Sequence, residues 1–398
     1  MSNTTIILFD DKRREHLLPL TFTRPVADIR IGILTIKEKW EQVMETSCGY
    51  LTVDYLSKKF TTGSAGSNIL LINGGVIPSS ELANQIKNLE LNSALTHKGA
   101  VIAARTGSIP ALEAISPQLF TSCIEIEEPL FQVERPWDIF SKNGIALEKD
   151  FELITKGRKS APISKTNQVI RPERVFIEHG ATVECAILNA STGPIYIAKD
   201  AEIMEGSIVR GPFSLGEHSA LKMGAKIYGP TTIGPHSKVG GEVNNSVIFG
   251  FSNKAHDGFL GNSVLGEWCN LGADTNNSNL KNNYAPVKLW DYSTERFANT
   301  GLQFCGLIMG DHSKCGINTM FNTGSVVGVS ANIFGSGFPR NFIPSFSWGG
   351  AHGFEVYTMP KVLQTVKIVL SRRGLELEQV DIDILAHIFE VTQKYRKF

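Results

Sequence analysis

Large aliphatic residues recur at every sixth position through the middle of the chain. From Ile197 the series runs Ile203, Val209, Leu215, Leu221, Ile227, Ile233 and Val239 without a miss. Ile177 and Val183 begin the same spacing earlier, and extra residues near Asn189 shift its register. A later stretch reads Val247, Asn253, Phe259, Leu265 and Leu271, with one polar residue in the series. After an interruption, Met309, Cys315, Phe321, Val327 and Ile333 restore the period. Glycine often follows the aliphatic, as in Leu215-Gly216, Ile233-Gly234 and Leu271-Gly272. This pattern predicts a hexapeptide β-helix, in which each short strand turns one large residue inward and the chain then rounds a corner. Glycine suits corners because it accepts positive φ without a steric penalty. Three faces make one coil of about eighteen residues. Residues 175–272 and 302–338 then supply about seven coils, a prism roughly 34 Å tall at about 4.8 Å per layer. A β-sandwich would also need many short strands, but its turns do not recur every six residues.

The flanks follow other periods. Thr5–Phe9, Asn68–Asn73 and Lys98–Ala104 are apolar runs of strand length. Between them Ile36, Trp40 and Val43 fall at helical spacing, and Ser79-Ser80-Glu81 opens a second helix with capping residues. Such alternation predicts an α/β domain with a mainly parallel sheet, whose ligands sit at the carboxyl ends of the strands. From Met359 the tail is helical, with Val362, Val366, Val369 and Leu370 on one face and Ile384, Leu385 and Ile388 on another. These stripes are expected to pack on the solenoid or a neighbouring subunit, since a solenoid needs its open end covered. The boundaries expected are an α/β domain over 1–150, a linker over 151–172, and a β-helix over 173–340. An insert occupies 274–302, and a loop and helical tail occupy 341–398.

Composition narrows the function. The 398 residues carry 39 basic and 39 acidic side chains. A nucleic-acid binder would show a basic excess, and no run of 18 or more apolar residues offers a membrane span, so neither nucleic acid nor membrane is an expected partner. The first apolar run spans five residues and is followed at once by charge, which reads as a strand rather than a signal peptide. Six scattered cysteines without a C-x-x-C pair argue against a disulfide framework or zinc ribbon, and a reducing cytoplasm is the expected setting. His179, His218, His236 and His312 lack the spacing of a metal site.

Residues 253–279 read NKAHDGFLGNSVLGEWCNLGADTNNSN. This string resembles the acetyltransferase signature of the bifunctional N-acetylglucosamine-1-phosphate uridyltransferase/glucosamine-1-phosphate acetyltransferases, the GlmU family. The segment 17–30, LLPLTFTRPVADIR, with Glu38-Lys39-Trp40, is similar to a divergent bacterial branch of that family. The resemblance implies a Rossmann-like, nucleotidyltransferase-like α/β domain, a left-handed parallel β-helix and C-terminal helices. It implies a homotrimer whose sites lie between neighbouring prisms. It also implies a chain that acetylates glucosamine-1-phosphate from acetyl-CoA and uridylylates the product with UTP.

Carried over by position, His256 is the general base that takes a proton from the sugar's 2-amino group. An amine must lose its proton to attack a thioester, and imidazole accepts one near neutrality. Phe259 falls where the family has a substrate-contacting Tyr, so the hydroxyl is absent. Asn270 and Asn279 match sugar-contacting positions. The Ala273 N–H matches the donor to the thioester oxygen. Lys222 and Lys281 are expected on the sugar phosphate, Lys222 through a gapped alignment, and Asn244 stands where the family usually has a phosphate-binding Lys. Arg340 is expected on the phosphates of coenzyme A. The insert is expected to complete the site. If Phe259 fills the inward slot His256 points outward, and if Leu260 fills it His256 points in.

The N-terminal half departs further from the family. Its first strand runs into Asp10-Asp11-Lys12-Arg13-Arg14, with none of the glycines that cradle a triphosphate. The strand that normally ends on a metal-binding Asp ends Asn73-Gly74-Gly75. Arg24, Arg30 or Lys39 would have to supply the nucleotide-binding charge, and Asp10 with Asp11 would be the candidates for Mg²⁺. Two other functions therefore stand beside the first: a hexose-1-phosphate nucleotidyltransferase of other specificity, such as a thymidylyltransferase, and a non-catalytic regulatory or assembly subunit.

Overall fold

The computed structural model describes residues 4–64 and 66–398. The chain divides into two compact units. The first takes the chain up to Leu17, with Thr23–Ile29 and Leu34–Arg135. It holds six strands: β1 (Thr5–Phe9), β2 (Cys48–Leu51), β3 (Ile69–Asn73), β4 (Ser93–His97), β5 (Ala100–Thr106) and β6 (Ser122–Glu125). Their order is β2-β1-β3-β5-β4-β6. β1 runs parallel to β2 and β3, and β6 parallel to β4. β5 is antiparallel to both β3 and β4. Five of the six strands therefore run in one direction and β5 alone is reversed, so the sheet is mainly parallel, as expected. Lys98 and Gly99, both at positive φ, form the two-residue turn that reverses β4 into β5. The predicted helix at 35–44 forms over Ile36–Met44, opened by a capping box between Thr35 and Glu38. The next runs over Ser80–Lys87 behind the Ser79 cap. Ile7, Phe9, Ile69, Leu71, Ala94 and Val101 form a shared apolar core.

The second unit comprises Leu18–Phe22, Arg30–Ile33 and Pro136–Phe398. Its body is a parallel β-helix with three faces, sheets of six, nine and ten strands. The nine-stranded face steps through Val175–Ile177, Ile195–Ile197, Phe213–Leu215, Thr231–Ile233, Val247–Gly250, Val264–Glu267, Leu307–Met309, Ser325–Val327 and Phe342–Ile343. That is nine rungs rather than about seven, a height of roughly 43 Å at about 4.8 Å per layer. Strand Gln168–Ile170 already pairs with Ile187–Asn189 inside the expected linker, and rungs continue past residue 340 to Ser347–Gly350. Helix Asn143–Thr155 belongs to this unit, not to the α/β domain.

The inward columns explain the hexad and where it slips. Ile197, Leu215 and Ile233 stack in one column, but the next residue in it is Ile248, not Val247. The coil between Ile233 and Ile248 is shorter than the one before it, and the next three expected inward residues move by one, while Leu265 and Leu271 point inward as expected. Lys254 takes the slot expected of Asn253, and Leu260 that of Phe259. The glycines that follow the aliphatics are also used differently. Gly216, Gly234 and Gly266 are not at positive φ. A Cβ on Gly234 would collide with the Phe249 carbonyl of the next rung, so close backbone approach is what requires glycine there. Another corner holds positive φ with large residues: His218, His236, Phe251, Trp268 and His312 lie between 50° and 62°.

The insert does not reach the cleft described below. Its hairpin, Lys288–Asp291 with Arg296–Asn299, packs Trp290 on Phe342 at 4.3 Å and Tyr292 edge-on to Tyr395 at 5.4 Å. The tail forms helices Met359–Ser371 and Gln379–Val391, burying Val362, Val366 and Leu370 on the first and Ile384, Leu385 and Ile388 on the second. No helix among the described residues is long and apolar enough to cross a membrane. All six cysteines are free.

Candidate active site

A cleft of about 660 Å³ runs along the ten-stranded face, closed on one side by the end of helix Met359–Ser371. Its floor is the outward ladder Lys238, Asn253, Asn270 and Lys314, one residue from each successive rung. One wall is made by the rings of Phe251 and Trp268. The opposite wall is the corner bearing Ala255, His256, Gly272, Ala273 and Ile317. Val369, Arg372 and Arg373 come from the helix end.

His256, Asn270 and Ala273, singled out on sequence, therefore meet in one place. His256 is exposed, although Leu260 fills the inward slot. Alternation does not carry from Leu260 back to His256 because the corner at Gly258, with φ of 114°, intervenes. Neither the Asn270 amide nor the Ala273 N–H has a partner among the described residues, so both are open to a ligand. Lys238, Arg372 and Arg373 form no ion pair among those residues, and no carboxylate lines the cleft. Unpaired cations around a concave surface make an anion site. Lys314 is committed differently, its Nζ donating to the Trp268 and His312 carbonyls at 3.3 and 3.1 Å. Burial pushes Lys314 below the usual lysine range. Burial also holds His236 down, with the neighbouring His218 and Arg373 adding to it.

The other expected residues lie outside this cleft. Phe259 and Asn279 are neighbours over Gly261, and the Asn279 amide donates to Asn262 Oδ1 at 2.8 Å. Lys281 donates to the Pro286 carbonyl. Lys222 stacks against Gly240 on the His256 side of the prism, below the cleft. Arg340 stands over the rings of Phe354 and Phe398 at 5.3 and 5.5 Å, so the arginines at the cleft are Arg372 and Arg373 instead. The one group of three possible metal donors among the described residues, Asp200, Glu217 and His218, is exposed and does not line the cleft.

Residues 6–159 match the family model of the sugar nucleotidyl transferases. Over 206 residues the chain is 32% identical to the bifunctional protein GlmU of Methanocaldococcus jannaschii, covering 49% of this chain and 41% of that protein. It is also 28% identical, over 65% of its length and 59% of the relative's, to the bifunctional sugar-1-phosphate nucleotidylyltransferase/acetyltransferase of Sulfurisphaera tokodaii. The chain thus spans about half the length of the curated relatives it matches. A solved UDP-N-acetylglucosamine acyltransferase from Arabidopsis overlaps 59% of this chain and 91% of its own, at 13% identity and a TM-score of 0.24.

In the first unit, the residues expected to meet a nucleotide are dispersed. Arg24 is buried and 3.5 Å from Asp28. Lys39 is buried in its helix. Arg30 belongs to the second unit and donates to the Phe249 and Ile33 carbonyls. Asp10 accepts from the Val26 N–H at 2.8 Å and from Thr52 at 2.6 Å, and burial raises its pKa. Asp11 accepts from Asn73 and pairs with Arg13. Carboxylates so occupied by protein donors do not fit a Mg²⁺ site.

Sequence reasoning missed Lys238, Lys314, Arg372, Arg373, Phe251 and Trp268. Phe251 and Trp268 share a register position with His218, His236 and His312, so comparing whole coils instead of single hexads would have brought the five together. Nothing in the sequence marked the arginine pair beyond its place near a helix end.

Proposed function

We propose that this chain is a transferase of sugar-nucleotide biosynthesis that acetylates glucosamine-1-phosphate from acetyl-CoA in the β-helix cleft. The observation that carries this reading is that His256, the open Asn270 amide and the open Ala273 N–H share one cleft rimmed by unpaired cations. In the reaction, His256 takes a proton from the sugar amine as its nitrogen attacks the thioester carbonyl carbon. The Ala273 N–H donates to the oxygen as it gains charge. The C–S bond then breaks, and the departing thiolate recovers the proton from the imidazolium. Lys238, Arg372 and Arg373 hold phosphate groups, and Asn270 orients the sugar. Exposed Ile170, Ile187 and Ile208 on the six-stranded face support a trimer of prisms. In that trimer the Phe259–Asn279 pair would serve a neighbour's cleft. Folded protein given acetyl-CoA and glucosamine-1-phosphate should release free CoA. Folded protein inactive on this and several other amino sugars would remove the reading.

A second activity is favoured by the family match over residues 6–159. We infer that the first unit transfers uridylyl groups from UTP to N-acetylglucosamine-1-phosphate, using groups other than the usual glycine loop. Mg²⁺ would neutralise the triphosphate, but Asp10 and Asp11 are not its ligands. Pyrophosphate release with UTP tests this. Its absence with every nucleoside triphosphate would make the unit a regulatory or assembly element.

A further inference from the structure

One inner column of the prism runs Val183, Ile203, Leu221, Val239, Lys254, Leu271, Cys315, Ile333. Every member but Lys254 is apolar, and Lys254 is only 2% exposed. Its Nζ donates to the Gly240 carbonyl at 2.9 Å and to the His256 carbonyl at 2.6 Å. Gly241 of the rung beneath has φ of +70°, and a Cβ there would crowd the Asp257 and His256 backbone at 2.8 Å as well as this nitrogen at 2.9 Å. Burying an ammonium is unfavourable unless it is well bonded. An aliphatic would fill this slot as its neighbours do. What the ammonium adds is a tie between two successive rungs, at the corner from which His256 emerges. The His256 ring has no hydrogen bond to a described residue, so its place in the cleft is set by that backbone. Lys314 repeats the device at the opposite wall, on the Trp268 and His312 carbonyls.

We propose that Lys254 is a positioning residue for His256, holding from inside the prism the corner that presents the imidazole to the cleft. The activity arm of its test rests on the acetyl-transfer reading. Burial lowers Lys254 to about 8, with Asp257 and Asp274 opposing the shift. Its strongest donor state is therefore lost as pH rises through that value.

Lys254→Met keeps an unbranched apolar stem in the column. It is expected to lower kcat about tenfold with KM unchanged. It should also abolish a fall in wild-type kcat near pH 8. Wild-type kcat and an unchanged pH profile in folded Lys254→Met would overturn the proposal. A second measurement needs neither turnover nor a variant. Diethyl pyrocarbonate labelling of His256 in wild-type protein, read by peptide mass against exposed His179, should change its relative rate near pH 8. A constant ratio from pH 7 to 9 would overturn the proposal. If wild-type protein releases no CoA, the acetyl-transfer reading falls, and the labelling ratio alone decides the role of Lys254.

Discussion

The indole of Trp268 lies on the ring of Phe251, with centroids 4.4 Å apart and planes within 15°. The pair sits inside a longer stack of His218, His236, Phe251, Trp268 and His312, one ring per rung. Where the stack borders the cleft it offers a flat apolar wall beside unpaired cations, a combination suited to a nucleotide-bearing cosubstrate. Stacking a base on such a wall contributes about 1–3 kcal/mol. Trp268→Ala should therefore raise KM for acetyl-CoA about tenfold, and Trp268→Phe should have little effect. Steady-state CoA release at varied acetyl-CoA checks this.

Arg372 and Arg373 approach the cleft from a helix end and should act on the same ligand. Removing a charge-assisted bond to a phosphate costs about 1.5–3 kcal/mol. Each Arg→Ala variant should raise KM for acetyl-CoA tenfold or more, roughly, leave kcat alone and flatten the salt dependence. An independent check uses His236, which burial, His218 and Arg373 together hold down. Arg373→Ala should raise the His236 pKa in an NMR titration.

Lys254 makes a stability prediction with a definite sign. Its pKa falls from an ordinary 10.5 to about 8 in the folded chain. Between those values the unfolded chain holds a proton that the folded chain lacks, so stability rises with pH across that window. The full shift corresponds to roughly 3 kcal/mol. Chemical denaturation at pH 7.5 and pH 10 should show wild type gaining stability relative to Lys254→Met. A constant difference would mean the ammonium is not buried as described.

How far these sites could be read from sequence follows from what each depends on. The prism was legible because one inward aliphatic per strand leaves a period that no other fold repeats. The register from Val247 to Phe259 was not, because it depends on coil length, and a shorter coil moved the inward role to Ile248, Lys254 and Leu260. Lys254 was invisible for the same reason: a lysine in a polar string reads as surface. His256, Asn270 and Ala273 were legible because their local string carries them to successive rungs of one face. Arg340 was misplaced, since proximity in the chain says nothing of which face a corner presents. The arginine pair was missed because its role arises from where a tail helix docks.

The central claim is that His256 serves as the proton acceptor in acetyl transfer. The most direct measurement is CoA release by wild-type and His256→Asn protein at saturating acetyl-CoA and glucosamine-1-phosphate, with unfolding curves for both. The side chain is exposed, so the variant should fold as wild type does while kcat falls at least about a hundredfold. A folded variant turning over within about threefold of wild type would contradict the assignment, since a general base supplies far more than that.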